Sequence, residues 1–165
     1  MSEYTERASA FALKAHGAEM RRGGEEPYYN HVKRVGDAVG RVVGISDDAT
    51  AAGYLHDVFE NTAVTYNALR AAGFTERTCH LTHQLTRRVG ESYNEYIARL
   101  ISTNDIELLY IKLKDNDDNS IVNPLFILQG MDNGILRYAK SKIKLIDAIR
   151  DLYPAWQSPT KLQRY

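Results

Sequence analysis

The chain has 165 residues, 44% hydrophobic and 25% charged, which is enough to bury one sizeable core and too short for two full domains, so residues 1–165 are expected to form a single domain. Its 21 Lys and Arg balance its 21 Asp and Glu, which argues against a broad nucleic-acid footprint or a polybasic membrane patch and leaves any anion to be bound locally. The single cysteine, Cys79, excludes an internal disulfide. No run approaches the ~20 apolar residues of a membrane span, and MSEYTERASA lacks the basic and apolar regions of a leader, so a cytoplasmic protein is expected.

Apolar spacing is helical almost everywhere and no segment alternates like a strand. In chain order, helices are predicted over residues 3–21, 31–43, 47–60, 64–72, 75–88, 91–103, 104–118 and 132–152. The first is stopped by the Gly23-Gly24 pair, and the second carries Val32, Val35, Val39 and Val42 in 3-4-3 steps. Ser46 followed by Asp47 and Asp48 caps the third, placing acidic groups at the positive end of its dipole. Gly73 and Gly90 mark later stops, and Leu136, Ala139, Ile143 and Ile146 repeat the 3-4-3 pattern in the last helix. The fold class expected is all-α, a compact helical bundle.

The chemistry collects where ionisable groups lie on apolar stripes. In AGYLHDVFENT, Ala51, Leu55 and Val58 form one apolar face and Tyr54 and Phe59 broaden it, leaving little wet surface for His56 and Asp57. A buried carboxylate costs several kcal/mol or is protonated unless a cation or a set of donors meets it. A divalent metal would satisfy both residues; a buried His-Asp hydrogen bond or a partly exposed helix edge would also account for an isolated pair. Asp115 repeats the oddity seven residues after Leu108, and His31 does so at the head of a helix carrying Val35, Ala38 and Val42. Two imidazoles and two carboxylates on three helices suit Mn²⁺, Fe²⁺ or Zn²⁺ and leave coordination positions open.

The order His, His-Asp, Asp is the signature of the HD phosphohydrolase superfamily. KAHGAEMRRGGEEPYYNH resembles the "AH…R…G.PY..H" opening of its small SpoT-type alarmone hydrolase branch, GYLHDVFENT resembles "LLHDvvEDT", and IKLKDNDDNS resembles "vKLADrl.N". The threonine of HQLTR falls where the family has "lT", so the resemblance runs from about Lys14 to Asn119, with Arg137-Tyr138 like the closing segment. It implies that His31, His56, Asp57 and Asp115 hold one ion, usually manganese in this branch, which would activate a water and polarise a phosphoryl oxygen. It further implies catalytic roles at Glu60 and Asn61, and nucleotide contacts at Arg21, Arg22, Tyr28, Lys112, Asn119 and Tyr138. The implied activity removes pyrophosphate from the ribose 3′ position of guanosine tetra- or pentaphosphate, leaving GDP or GTP.

The chain departs from the pattern at the Glu-Asp pair, which reads Glu60-Asn61; an asparagine can hold a water but cannot take its proton. Two rivals follow. One is an HD phosphohydrolase of another nucleotide, a deoxynucleotide 5′-phosphatase or triphosphohydrolase or an NADPH phosphatase; the other is a nucleotide-binding protein with weakened catalysis. No synthetase or regulatory region follows in this sequence, so a stand-alone hydrolase is expected. DNDDNS imitates the start of an EF-hand loop, but Ser120 and Phe126 stand where Gly and Glu are required, and Asp117 and Asp118 read as water-facing charges, with contact to a substrate or to a group behind the ligands as the alternative for either. His80 and His83 have helical ligand spacing without a near acidic partner, and His16 reads as a packing residue. Tyr54, Tyr66, Tyr93, Tyr96 and Tyr110 read as amphipathic residues at the core rim.

Overall fold

The computed structural model describes residues 1–21, 26–120 and 132–153. It is all-α, with α1 at Glu3–His16, α2 at Tyr28–Gly40, α3 at Asp47–Leu55, α4 at Val58–Asn61, α5 at Tyr66–Ala71, α6 at Glu76–Leu85, α7 at Tyr93–Ser102, α8 at Ile106–Asn119 and α9 at Asp132–Leu152. None of the described helices is long and apolar enough to cross a membrane.

Most helix starts are set by a side chain that satisfies a free amide of the first turn. Ser2, Ser46, Thr65, Thr75 and Asp105 each accept from the amide three residues on, and Ser92 forms a reciprocal capping box with Glu95. Three boundaries differ informatively from the predicted ones. α1 stops at His16 rather than 21, because Gly17 takes φ +52°, open to glycine at little cost, and its amide returns to the Leu13 carbonyl. The chain then turns back, Tyr28 N donating to Glu19 O at 2.8 Å and Arg21 N to Glu26 O at 2.9 Å. α2 begins at Tyr28 rather than 31, since Pro27 at φ −58° presets its entry, so His31 stands one turn inside the helix.

The third difference falls on the pair that drew notice in the sequence. The predicted helix 47–60 is broken at His56–Asp57 into α3 and α4. His56 Nδ1 bonds the Gly53 carbonyl at 2.9 Å, the acceptor that Asp57 N–H would use in an uninterrupted helix. The ladder stops there and restarts with Glu60 and Asn61 amides on the Asp57 carbonyl.

Two buried clusters meet at the site. One includes Val35, Val39, Leu81, Leu100, Leu109, Ile111, Leu145 and Ile149; the other includes Ala8, Ala12, Val32, Tyr54, Leu55, Leu69 and Phe74. Between them α2 and α3 approach closely through Gly36 and Gly53: a Cβ on Gly36 would lie 2.4 Å from the Tyr54 ring, and one on Gly53 would lie 3.1 Å from the Gly36 Cα. That approach lets His31 of α2 face His56. Tyr54, Tyr96 and Tyr110 are buried, not at the core rim as predicted; Tyr54 and Tyr96 also donate to Asp37 and to the Leu85 carbonyl. α8 is tied to its neighbours by buried Asn116, which accepts from Tyr93 OH and donates to Ser141, each at 2.8 Å.

Candidate metal centre

α2, the α3–α4 junction and α8 bring four predicted ligands together. His31 Nε2 and His56 Nε2 lie 3.3 Å apart. Asp57 Oδ2 is 3.5 Å from the first and 3.2 Å from the second, and Asp115 Oδ1 is 3.3 and 3.6 Å from them. His31, His56 and Asp115 are buried, and one ligand atom from each falls within a space that could hold a metal ion.

The outer bonds show that this space wants a cation. His56 Nδ1 donates to the Gly53 carbonyl, and His31 Nδ1 donates to Asp118 Oδ2 at 2.7 Å. With both Nδ1 atoms committed, the neutral rings turn two Nε2 lone pairs toward each other, between two carboxylates. Only a proton or a metal ion makes that arrangement favourable. In the metal-free protein the proton serves. Burial alone would lower both histidines, but the carboxylates of Asp115, Asp118 and Asp57 hold His31 up at about 10, and those of Asp57 and Asp115 hold His56 up at about 9. Asp57 and Asp115 are held well below the usual carboxylate range despite burial: His56 and His31 do this for Asp57, and Lys112 with the histidines does it for Asp115. Asp115 has its own cation and a donor, Lys112 Nζ at 2.5 Å and Asn119 Nδ2 at 2.6 Å. Asp57 meets the two imidazoles and the Tyr28 hydroxyl, which donates to it at 2.6 Å, but no Lys or Arg among the described residues. The donor set therefore fits a divalent ion, and Asp57 is the charge that such an ion would balance.

A cleft of about 380 Å³ opens above this group. Tyr28, Asp57, Asp115 and Asn119 form one wall and Glu60 stands at the side. Its cations are Lys112, Arg87 and Arg137. Lys112 is buried with its Nζ 4.9 Å from the Tyr96 ring centroid and 5.6 Å from that of Tyr93, and Asp115 keeps it protonated against its burial. The Arg137 guanidinium lies 4.7 Å from Tyr93 and 5.1 Å from Tyr138, so its planar fork is supported by two aromatic rings. Glu60 accepts from the Arg87 backbone amide, and partial withdrawal from water raises its carboxyl.

Other predicted residues sit differently. Asn61 is exposed at the end of α4 beside the Tyr28 hydroxyl and does not line the cleft. Arg21 stands behind Asn119, donating to it at 2.8 Å and to Asp118 at 3.2 Å, rather than facing the cleft. Arg22 lies outside the described residues. Tyr138 lines the cleft. Asp118 is not water-facing but follows its alternative reading: only 6% exposed, it lies one turn from Asp115 and is bonded to His31 and Arg34. His16 packs as expected, buried against Tyr28 and bonded to Glu19. His80 and His83 are exposed and belong to no metal-ligand group among the described residues. A second cleft of about 400 Å³, lined by Lys33, Asp37, Arg41 and Tyr54, holds no histidine. Sequence reasoning missed Arg87, Tyr93 and Tyr96 as parts of the site. They come from other helices and loops, and only folding brings them to it.

No family model matches the chain. It is 30% identical over 126 residues to a guanosine-3′,5′-bis(diphosphate) 3′-pyrophosphohydrolase of Aquifex aeolicus, an alignment covering 72% of this chain and 17% of that protein. It is 32% identical over 122 residues to a probable guanosine-3′,5′-bis(diphosphate) 3′-pyrophosphohydrolase of Synechocystis, covering 68% of this chain and 16% of the relative. The chain thus spans about a sixth of the length of the curated relatives it matches. A solved structure described as a metazoan ortholog of SpoT that hydrolyzes ppGpp superposes with a TM-score of 0.69 at 19% identity, covering 94% of this chain and 96% of that one, which shows a shared fold. With the ordered His, His-Asp, Asp set gathered at one point, these likenesses assign the chain to the SpoT-type branch of the HD-domain superfamily.

Proposed function

We propose that the chain is a manganese-dependent hydrolase that converts guanosine tetraphosphate to GDP and pyrophosphate, and the pentaphosphate to GTP and pyrophosphate. The observation that carries the reading is the pair of facing Nε2 atoms between Asp57 and Asp115, at the floor of a cleft ringed by Lys112, Arg87 and Arg137. The named relatives support the substrate.

When bound, the ion supplies Lewis acidity, making a water nucleophilic near neutral pH and polarising a phosphoryl oxygen. His31, His56, Asp57 and Asp115 would hold it, with Fe²⁺ or Zn²⁺ as alternatives to Mn²⁺. Tyr28 steers Asp57 through its hydroxyl, and Asn119 steers Asp115. Glu60, beside the ligands with a raised carboxyl, orients the attacking water and takes its proton. The water oxygen bonds to the phosphorus as the bond from the ribose 3′ oxygen to that phosphorus breaks, and the 3′ oxygen leaves as a hydroxyl with the proton that Glu60 took from the water, releasing pyrophosphate. Arg137 and Arg87 neutralise the outer phosphates, and Lys112 adds charge from below.

The test is product analysis with Mn²⁺ and guanosine tetraphosphate beside a panel of nucleoside triphosphates, deoxynucleotides and NADPH. GDP and pyrophosphate from the alarmone alone support the proposal. Cleavage of a different nucleotide with the alarmone intact keeps the centre and replaces the substrate. Tight binding without turnover, with turnover gained in Asn61→Asp, establishes the weakened binding protein instead.

A further inference from the structure

We propose that Asp118, fixed by Arg34, is the positioning residue that makes His31 the anchoring ligand of the metal centre; this rests on the reading of that centre as a metal site. The two imidazoles are not supported alike. His56 leans on a neutral backbone carbonyl, whereas His31 leans on a carboxylate. Hydrogen bonding of Nδ1–H to a carboxylate fixes the ring's tautomer and orientation and makes the opposite nitrogen a stronger donor. The other nitrogen of His31 is the one that faces His56, Asp57 and Asp115.

Asp118 is itself held from the helix that carries His31. Arg34, one turn after His31 in α2, donates to Asp118 Oδ1 from Nε at 2.5 Å and to Oδ2 from Nη2 at 3.0 Å, and Arg21 adds a bond at 3.2 Å. Arg34 also reaches both oxygens of Glu26 at 2.8 Å, which fixes the guanidinium from its outer side. His31 and Arg34 thus clamp one α8 carboxylate between them. The carboxylate is buried, and charged donors from Arg34 and Arg21 meet it beside the His31 ring. The pattern that IKLKDNDDNS resembles leaves this position open, so the clamp is a feature of this chain's own residues.

The test uses the full chain, Asp118→Ala and Asp118→Asn, with two readouts besides activity. Zn²⁺ and Mn²⁺ affinities are measured by calorimetry, and the ring protons of the Zn²⁺-loaded proteins by proton–nitrogen NMR. Asp118→Ala is expected to weaken metal binding by about 10- to 100-fold and to lose the exchange-protected Nδ1 proton of His31 while that of His56 stays in place. Asp118→Asn keeps an acceptor and should retain the His31 signal with a smaller loss of affinity. Arg34→Ala, in a half-exposed side chain, gives the same direction more weakly and serves if Asp118→Ala does not fold. Unchanged affinity and an unchanged His31 signal in these variants would overturn the proposal, as would equal loss of both histidine signals, which would mark a merely structural role. Failure of the unsubstituted protein to bind either ion would instead remove the metal reading on which the proposal stands.

Discussion

A metal ion at this centre would compete with a proton for the same space, and pH is the perturbation that exposes the competition. Without metal, a proton is held between His31 and His56, whose values are raised to about 10 and about 9 by the surrounding carboxylates. The Nε2 atoms are 3.3 Å apart, too close to carry two protons comfortably, so the pair shares one. Displacing a proton held at about 9 costs roughly 2 kcal/mol at a pH of about 7.5, and the cost changes by about 1.4 kcal/mol for each pH unit. Apparent Mn²⁺ affinity should therefore rise about tenfold per pH unit between roughly pH 6.5 and 8.5, with about one proton released per ion. Calorimetry in two buffers of different ionisation heat reads both quantities. A flat affinity, or binding without proton release, would refute the reasoning. The stability of the metal-free form has the opposite sign. Because the shared proton is held above the unfolded 6.5 of histidine, its stabilisation is fully present below that pH and is lost as pH rises past about 9.

Two further outcomes are expected. Glu60→Gln should keep the metal and lose about 10²- to 10⁴-fold in turnover, read as kcat beside metal content; full activity would remove Glu60 from its assigned role. Gly36→Ala should destabilise the fold by about 1–3 kcal/mol in urea denaturation and weaken metal binding, because its Cβ would press the Tyr54 ring and spread α2 from α3. Unchanged stability there would show that the close approach is not what sets the distance between the histidines.

The helices were legible because the apolar residues recur at helical spacing, as in Val32, Val35 and Val39, and because Ser46, Thr75 and Ser92 announce their caps. The break at His56–Asp57 was not, since it depends on a ring nitrogen taking a backbone acceptor from the ladder. The gathering of His31, His56, Asp57 and Asp115 was legible for a physical reason: ionisable groups on apolar stripes need partners, and each of the three stripes carries at least one. Asp118 reads first as a water-facing charge because it lies in the run DNDD, which looks like a solvated face; its three-residue spacing from Asp115 favours the alternative, a contact behind the ligands, since such residues share a helix face. Arg87 carries no pattern of its own, and Arg137 is marked only by the likeness of Arg137-Tyr138 to the closing segment. They enter the site only through the packing of α6, α7 and α9 around α8.

The most direct measurement is anomalous diffraction from crystals grown with Mn²⁺. A single peak between His31 Nε2 and His56 Nε2, within reach of Asp57 and Asp115, is the result expected of a hydrolytic metal centre built from these four residues. No peak at that position in a crystal whose protein binds manganese, or a peak at another group of side chains, would contradict the account.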